Sequence, residues 1–417
     1  MGCDYVARIV DRDLDELLPA LPAIALEGPK GVGKTETALR RAETTLRFDD
    51  PVDRALLEAD PALLTRSVPP VLLDEWQRMP VSWDLVRRAV DRGAAPASFL
   101  LTGSAMPVDT AVHSGAGRID TIRMRPMSLA ERLPGHATVS LAALLGGGRP
   151  AIGGDTTLTA TDYRREILAS GFPGMRHLDG RALRIRLDGY LRAIVQRDFP
   201  DQGLVVRRPE TLLAWLRAYA AATSTTSSFA TIAASASGAV GNVPAKTTTI
   251  AYRDVLSQLW LLDPVAAWLP SGSALNRLTQ APKHQLADPA LAARLLDLVD
   301  ADFEPGARGA ALLGPLFEHL VTLGVQTYAA SADARVGHLR TKAGEHEIDA
   351  IVEREGAVLA LEIKLARAVG DADVRHLVWL REALGDRLVD AVVVTTGPRA
   401  YRRPDGIAVV PAALLGP

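Results

Sequence analysis

The segment from Ile24 to Thr35 reads IALEGPKGVGKT and predicts a short apolar strand, a glycine-rich loop and the start of a helix. It fits the P-loop pattern G-x-x-x-x-G-K-[ST], in the strand–loop–helix setting where that pattern cradles phosphates. Its glycines let backbone N–H groups point at phosphate oxygens, and the helix N-terminus adds positive potential. Lys34 would supply charge to the β- and γ-phosphates, and Thr35 a hydroxyl to Mg²⁺. The alternative is a chance glycine turn before a helix. The predicted nucleotide-binding residues of the loop are Gly28, Pro29, Lys30, Gly31, Val32, Gly33, Lys34 and Thr35.

A second motif, VLLDEWQ at Val71–Gln77, reads as a buried parallel strand that delivers carboxylates at its C-terminal edge. Asp74 would bind nucleotide-bound Mg²⁺, usually through water. Glu75 stands where a catalytic base would polarise the attacking water. The alternative is an acidic helix cap after a strand.

Two further segments carry weaker signals. Ser98–Ser104, SFLLTGS, is an apolar strand that ends in polar residues, so Thr102 or Ser104 would sense the γ-phosphate, unless these hydroxyls are only caps. The segment HSGAGRID contains Arg118, which would act as a catalytic trigger on a loop beside the nucleotide edge. The alternative for Arg118 is a solvent-facing side chain.

The region up to about residue 130 alternates short apolar strands with helices. This alternation predicts an α/β fold with a parallel, doubly wound sheet. A helix is predicted from Lys34 to about Leu46. The predicted strands are 24–28, LRFDDP ending near Asp49 and Asp50, 71–74, 98–102 and 121–125.

The middle of the chain reads as helical. A glycine-rich boundary at 141–161 precedes helices over 163–216, broken by GFPG. The stretch 181–197 has an excess of arginine over aspartate, which fits either phosphate contacts or a solvated helix face. Residues 223–241 are rich in Ser, Thr and Ala. Helix, turn GAVGNVP, helix and a hairpin at LLDPVAAW then predict a winged-helix-like unit, which serves protein packing as often as DNA binding.

The C-terminal strand AVLALEIKLA is apolar except for Glu362 and Lys364, which share one face because side chains alternate along a strand. Asp349 interrupts the preceding strand EIDAIV in the same way, and Glu318 lies on a helix before both. Two carboxylates and a lysine converging on neighbouring strands predict a Mg²⁺ or Mn²⁺ site with ligands Asp349 and Glu362. A helical Glu, then an Asp, then Glu-x-Lys on the next strand resembles the order of the PD-(D/E)xK nucleases, and this resemblance implies Glu318 as a further ligand. Lys364 would orient water or stabilise the pentavalent phosphate. The alternative is a buried ion pair in an ordinary sheet.

Composition limits the class of protein. The 417 residues allow two or three domains, hydrophobic content is 48%, and formal net charge is −2. The single cysteine, Cys3, excludes an internal disulfide framework and a Cys-based zinc site. Neither a signal peptide nor a membrane span is visible, so a cytoplasmic protein without a membrane partner is expected. Arginine supplies most of the positive charge, so a lysine at a motif position is informative. The lysines are Lys30, Lys34, Lys246, Lys283, Lys342 and Lys364.

The motifs together resemble the prokaryotic AAA-type P-loop ATPases that carry a C-terminal domain of unknown function. The resemblance covers nearly the whole chain, and the low-complexity segment 223–241 and the loose linker 141–160 depart from the pattern. It rests on the following segments: GPKGVGKT, FDDP, DEWQRMP, LTGS, GR before RPMSLAE, GFPG, YLRAIVQRD ending at Asp198, PKHQLADPAL with Lys283, and EIDAIV followed by LEIK.

The resemblance implies an ATPase domain at 1–135, a helical lid and linker at 136–222, a winged-helix-like unit at 223–300 and a nuclease-like domain of PD-(D/E)xK, or restriction-endonuclease-like, type at 301–417. It implies ATP and Mg²⁺ as cofactors, with Mn²⁺ an option at the C-terminal site. Two functions stay open: an ATPase that acts on nucleic acid through the nuclease-like domain, and a nucleotide-switched signalling or scaffold ATPase whose nuclease-like domain only binds. DNA and a second copy of the chain are candidate partners.

Overall fold

The computed structural model describes residues 5–105, 115–206, 208–237, 245–270, 281–341 and 344–417. The strands are β1 Ala23–Glu27, β2 Thr44–Arg47, β3 Val71–Asp74, β4 Phe99–Gly103, β5 Asp120–Arg123, β6 Val139–Ser140, β7 Arg335–Arg340, β8 Glu347–Arg354, β9 Ala357–Ile363, β10 Leu388–Thr395, β11 Tyr401–Arg402, β12 Ala408–Pro411 and β13 Leu415–Gly416.

The helices alternate with these strands in the first third of the chain and dominate the middle. They are α1 Ile9–Leu17, α2 Lys34–Leu39, α3 Pro51–Ala59, α4 Leu63–Arg66, α5 Val81–Asp91, α6 Leu129–Arg132, α7 Leu141–Leu145, α8 Ala160–Leu168, α9 Gly180–Ala193, α10 Phe199–Asp201, α11 Pro209–Ala221, α12 Phe229–Ser237, α13 Lys246–Gln258, α14 Pro289–Leu295, α15 Leu313–Ala330 and α16 Asp371–Leu384. In the described residues, no helix has the length and apolar character needed to cross a membrane.

The first sheet has the strand order β2-β3-β4-β1-β5, and every pairing in it is parallel. Side chains alternate along β1, so Ile24 and Leu26 join the apolar core on one face of the sheet. Ala23 and Ala25 join a separate core on the other face. The predicted parallel α/β sheet is confirmed. Its carboxyl edge carries the P-loop, Asp74 and the end of β4.

One boundary in this sheet is wrong in the sequence prediction. The helix expected to reach about residue 46 ends at Leu39, and residues Thr44–Arg47 form β2 instead. Thr44 and Thr45 pair with Val71 and Leu72 of β3. Pairing with a neighbouring strand therefore overrides the helical pattern, and two consecutive β-branched residues favour that outcome.

The middle segment packs helices around a short β-bridged hairpin. Leu262 pairs with Leu286, and Val265 pairs with Lys283, in antiparallel bridges. The segment LLDPVAAW, predicted to be a hairpin, thus forms one side of an antiparallel pair whose other side is residues 283–286. The predicted turn GAVGNVP lies outside the described residues. The winged-helix assignment stays a prediction.

The C-terminal sheet has the order β11-β12-β10-β9-β8-β7. Strands β7, β8 and β9 form an antiparallel meander, and β9 and β10 are parallel neighbours joined by the crossover helix α16. The register places Ala350 opposite Leu361, which brings Asp349 beside Glu362 on adjacent strands. The restriction-endonuclease-like fold expected here stays a prediction, although its order of elements, α15 and then three antiparallel strands, is present.

The first sheet, the middle helices and the C-terminal sheet share the largest apolar core. This cluster of buried side chains runs from Val10, through β1 and the middle helices, to Leu415. In addition, β13 pairs in parallel with β6, which follows the first sheet. Backbone hydrogen bonds therefore join the last strand to the segment that follows the first sheet.

The segment GFPG at 171–174 is a packing point rather than a simple break. Gly171 donates its N–H to the buried carboxylate of Asp288 and accepts from Met127 N–H at 2.7 Å. A Cβ atom added at Gly171 would lie 2.5 Å from Arg132 Nη2 and 2.8 Å from Met127 O. A Cβ atom at Gly174 would meet nothing within 4 Å.

This contrast predicts opposite results for two substitutions in one loop. Gly171→Ala should destabilise the protein by about 1–3 kcal/mol, because backbone atoms cannot move away from the added methyl group. Gly174→Ala, the matched control, should stay within about 0.5 kcal/mol of wild type. Urea denaturation followed by circular dichroism measures both. Equal stability of the two variants would contradict the packing described for Gly171.

Candidate functional site

The P-loop adopts the curled conformation that its glycines allow. Gly28, Gly31 and Gly33 have φ values of 153°, 85° and 99°. A Cβ atom at Gly28 would lie 2.0 Å from Met124 O, so only glycine fits beside the end of β5. Lys34 Nζ donates to Gly28 O at 2.8 Å and to Pro29 O at 3.0 Å. The loop thus folds around the ammonium of Lys34.

The Lys34 ammonium is buried at the foot of the loop. Burial lowers the pKa of Lys34 to about 8, while the carboxylates of Glu75 and Asp74 act in the opposite direction. A group in this setting is strongly stabilised in its charged form when an anion such as a phosphate comes beside it. The electrostatics of the loop therefore favour an anionic ligand.

Asp74 lies between two hydroxyl groups at the edge of the sheet. Thr35 Oγ1 donates to Asp74 Oδ1 at 2.7 Å, and Thr102 Oγ1 donates to the same atom at 2.5 Å. A threonine hydroxyl beside an aspartate, next to the P-loop, is the donor set that Mg²⁺ uses with a bound nucleotide. Thr35 and Asp74 therefore fit the metal role predicted for them.

Glu75 follows Asp74 in a left-handed conformation, with φ of 57°. This backbone strain turns its side chain towards the end of β4, where Ser104 Oγ donates to Glu75 Oε2 at 3.0 Å. Gln77 Nε2 contacts both groups, Ser104 Oγ at 3.0 Å and Glu75 Oε2. Strain in a non-glycine residue is a feature of functional sites. The structure therefore brings together the predicted base and the predicted sensor Ser104.

A cleft of about 730 Å³ opens in front of these residues. Its lining comes from the first sheet and from the helical segment around the π-helix Ile194–Asp198, and includes Glu75, Ser104, Tyr190 and Asp198. Tyr190 Oη donates to Lys30 O at 3.1 Å, and Lys30 Nζ lies 3.4 Å from Asp198 Oδ1. The motif that ends at Asp198 therefore covers the tip of the P-loop.

Arg8 is a positioning residue that the sequence reasoning missed. It is buried, and its Nη1 donates to Val32 O in the P-loop at 2.7 Å. Its Nε donates to Glu131 Oε1 at 2.9 Å, and its Nη2 to Arg125 O at 2.7 Å. An arginine near the N-terminus gives no motif signal, because its partners are distant in sequence.

The placement of Arg118 beside the nucleotide edge is wrong. Arg118 precedes β5, and β5 runs parallel to β1, so the start of β5 lies at the edge of the sheet opposite the P-loop. Its Nε pairs with Asp91 Oδ1 at 2.8 Å, at the end of α5. Arg118 therefore does not reach the nucleotide site of its own chain.

The predicted metal ligands of the C-terminal domain surround a lysine. Lys283 Nζ lies 2.8 Å from both Glu318 Oε1 and Asp349 Oδ1, and 3.3 Å from Glu347 Oε1. The lysine side chain is 1% exposed. Burial alone would lower the pKa of Lys283, but the carboxylates of Asp349 and Glu318 raise it well above its ordinary value. The ammonium is therefore held in its charged form.

Glu362 and Lys364 form the outer part of the same cluster. Lys364 Nζ donates to Glu362 Oε1 at 2.7 Å, and Glu362 Oε2 is buried without a hydrogen-bond partner. Burial, together with the charge of Asp349, raises the pKa of Glu362 to about 8. The same two causes raise the pKa of Glu318 to about 8.

The cluster does not have the arrangement of a metal centre. Across the residues that the structure describes, no group of three or more His, Cys, Asp or Glu side chains is placed to hold a metal ion. Asp349 Oδ1 accepts from Lys283, and Asp349 Oδ2 accepts from Ile363 N–H at 2.8 Å. The Lys283 ammonium lies between two of the three predicted ligands, Glu318 and Asp349, whereas Glu362 pairs with Lys364. Lys283 lies in the motif PKHQLADPAL, but no local pattern indicates that it reaches this cluster.

A charged contact joins the first sheet to the hairpin that carries Lys283. Arg125 Nε donates to the buried Asp263 Oδ2 at 2.7 Å, and Arg123 Nη1 lies 3.1 Å from Asp263 Oδ1. Asp263 and Lys283 lie on facing segments of the hairpin, two positions apart, and each is held by charged groups outside it. No sequence motif indicates the contact of Asp263 with Arg123 and Arg125.

Comparison with known proteins supports the division of the chain into an ATPase-like start and domains of unknown function. Residues 21–133 match the model of an AAA domain. Residues 160–302 match a domain of unknown function (DUF8612), and residues 313–415 match another (DUF4143).

Similar proteins include the uncharacterized proteins Rv2008c of Mycobacterium tuberculosis and Mb2031c of Mycobacterium bovis. Each is 27% identical over 414 residues, covering 96% of this chain and 82% of the relative. Among solved structures, the Walker-type ATPase PABY2304 of Pyrococcus abyssi aligns with a TM-score of 0.41 and 16% identity, over 70% of this chain and 96% of that chain. The AAA match and the loop geometry together identify residues 21–133 as an AAA-type P-loop domain.

The two lysines of the loop, Lys34 and Lys30, are expected to differ in their effect on ATP binding. Lys34→Ala should weaken ATP binding by at least about tenfold, because hydrogen bonds from a charged group contribute about 1.5–3 kcal/mol. Lys30→Ala should bind ATP nearly as wild type does, because its side chain is 55% exposed and turned towards Asp198. Isothermal titration calorimetry measures both affinities. Wild-type affinity in a folded Lys34→Ala variant would contradict the P-loop assignment.

Proposed function

We propose that this protein binds and hydrolyses ATP with Mg²⁺ at the edge of the first sheet. The observation that supports this proposal is that Lys34, the Thr35–Asp74 pair and the Glu75–Ser104 pair lie at the same edge of the sheet, where Glu75 and Ser104 line one cleft. Each of these residues is supplied by the C-terminal end of a parallel strand or by the loop after it. That edge is where open α/β sheets bind ligands.

Each residue has a separate role in the proposed reaction. The loop N–H groups and Lys34 bind the phosphates, and Thr35 and Asp74 hold Mg²⁺, which neutralises charge on the β- and γ-phosphates. Glu75 orients the attacking water as a base, and Ser104 and Gln77 fix its carboxylate. Thr102 keeps Asp74 in place through its hydroxyl hydrogen bond.

Separation of binding from turnover tests the role of Glu75. Glu75→Gln should bind ATP with near-wild-type affinity and hydrolyse it about 10²–10⁴-fold more slowly, because a positioned base contributes about that factor. Glu58→Gln on α3, an exposed carboxylate, is the control and should change neither quantity. Phosphate release under saturating ATP gives the rate. An unchanged rate in Glu75→Gln would mean that another group activates the water.

We further propose that the C-terminal domain only binds a partner, in a manner controlled by the nucleotide, and does not cleave nucleic acid. Lys283 favours this alternative, because its ammonium already neutralises Asp349 and Glu318. The competing proposal is that ATP is coupled to cleavage of nucleic acid by Glu318, Asp349, Glu362 and Lys364. The unpartnered Glu362 Oε2 favours this competitor, because a buried carboxylate oxygen is available to a cation.

A nicking assay separates these two proposals. Wild-type protein with ATP and Mg²⁺ or Mn²⁺ should leave supercoiled plasmid intact. Asp349→Ala should instead lower the melting temperature, because removing one partner of a buried ion pair costs about 3–5 kcal/mol. Asp386→Ala, an exposed aspartate of the same domain, is the control for stability. Nicking by wild type that is lost in Asp349→Ala would support the nuclease proposal, and ATP turnover stimulated by DNA would support action on nucleic acid.

A further inference from the structure

Lys283 has an unusual environment for a lysine. Its side chain is almost completely buried, and its ammonium contacts carboxylates from two elements: Glu318 on α15, and Glu347 and Asp349 on β8. Lysine is seldom fully buried unless it is paired. The pairs here join the middle segment to the C-terminal domain, so the ammonium belongs to a site built from both.

The carboxylate oxygens of the cluster show what the ammonium does. Lys283 Nζ donates to one carboxylate oxygen of Asp349 and one of Glu318, and Lys364 Nζ donates to one carboxylate oxygen of Glu362. The remaining Asp349 oxygen accepts a backbone N–H. Three carboxylates, those of Glu318, Glu347 and Asp349, contact the ammonium, which lies between α15 and β8. The lysine therefore fills the position from which a single cation can contact several carboxylates.

The backbone holds this ammonium in place. Lys283 and Val265 exchange two hydrogen bonds, each of 2.9 Å, across the hairpin. Asp263, two residues from Val265, donates its N–H to Gln285 O at 2.9 Å and pairs through its carboxylate with Arg125. Withdrawal of Lys283 from the carboxylates would require these contacts to break or the side chain to leave its buried position. The ammonium is thus a fixed part of the site.

We propose that Lys283 is the resident cation of the C-terminal carboxylate cluster and takes the place of a divalent metal ion there. Replacing the ammonium by a neutral side chain leaves oxygen ligands that suit a hard divalent cation such as Mn²⁺. The proposal is independent of ATP hydrolysis, and it holds whether or not the P-loop assignment is correct.

Mn²⁺ binding to the full-length, nucleotide-free protein tests the proposal. The variants are Lys283→Met and, as a matched control, Lys246→Met, which removes an exposed lysine from the start of α13. Electron paramagnetic resonance measures free Mn²⁺, and thermal melting with and without Mn²⁺ gives a second readout. Lys283→Met should bind Mn²⁺ at least about tenfold more tightly than wild type, because its carboxylates have lost their internal counter-charge. Its melting temperature should rise with Mn²⁺, whereas those of wild type and Lys246→Met should not.

The double variant Lys283→Met/Asp349→Asn checks where any newly gained Mn²⁺ binds. This double variant should lose the Mn²⁺ binding that Lys283→Met gains. A folded Lys283→Met variant that gains no Mn²⁺ affinity would overturn the proposal. If Lys283→Met lacks a native circular dichroism spectrum, Mn²⁺ binding is compared between wild type and the single variant Asp349→Asn. Mn²⁺ binding by wild type that Asp349→Asn removes would overturn the proposal, and no such binding would support it.

Discussion

Parallel pairing of β1 with β4 and β5 is the constraint on which the nucleotide site depends. Because these strands point the same way, their carboxyl ends meet at one edge of the sheet. The P-loop, Asp74 and Ser104 are distant in sequence, yet this alignment places them at the same edge of the sheet. Gly28 shows how tight the arrangement is, since a single added carbon would overlap Met124 O. The backbone geometry therefore determines where the functional side chains of the site lie.

Buried ion pairs fix the relative positions of parts of the molecule that apolar packing alone would not fix. Arg8 connects the P-loop to Glu131, Asp263 connects β5 to the hairpin, and Lys283 connects the hairpin to β8. Such pairs add little net stability compared with apolar side chains, but breaking one of them is costly. Their value lies in fixing one arrangement. Through them, the P-loop and the C-terminal cluster are linked by a continuous set of contacts.

This continuity bears on the distinction between an enzyme and a switch. A nucleotide that changes the loop would act on Arg8 and on the end of β5, and both lead to Asp263. Contiguity shows only that a route exists, because coupling requires an element with two states that both sites bias. The paired segments that carry Asp263 and Lys283 are the element to examine, since Asp263 pairs with Arg123 and Arg125 at the end of β5 and Lys283 pairs with Asp349 on β8.

Local pattern was sufficient for the P-loop and the strand that carries Asp74. An apolar run that ends in a glycine-rich loop with a lysine, or in a carboxylate, indicates a strand that ends at the ligand-binding edge of a parallel sheet. The positions of these two segments in the fold could therefore be predicted from the sequence. It was not sufficient for Arg118, because the side of the sheet on which a loop lies depends on strand direction. It predicted the strand β2 but placed its start and the end of α2 too late in the chain, because pairing of Thr44 and Thr45 with β3 decided the boundary between helix and strand.

By itself, the sequence determined the parallel sheet, the residues at its nucleotide edge and the convergence of Asp349 with Glu362 on neighbouring strands. Alternation along a strand is a local property, so it can be read from adjacent residues. Only the tertiary structure decided that Lys283 occupies the centre of the C-terminal carboxylates and that Arg8 braces the P-loop. Each of these side chains reaches partners far away in the chain, and no local period or spacing encodes which buried charge will meet which. That choice is made when the hairpin, α15 and β8 pack together and the cost of burying an unpaired charge excludes the alternatives.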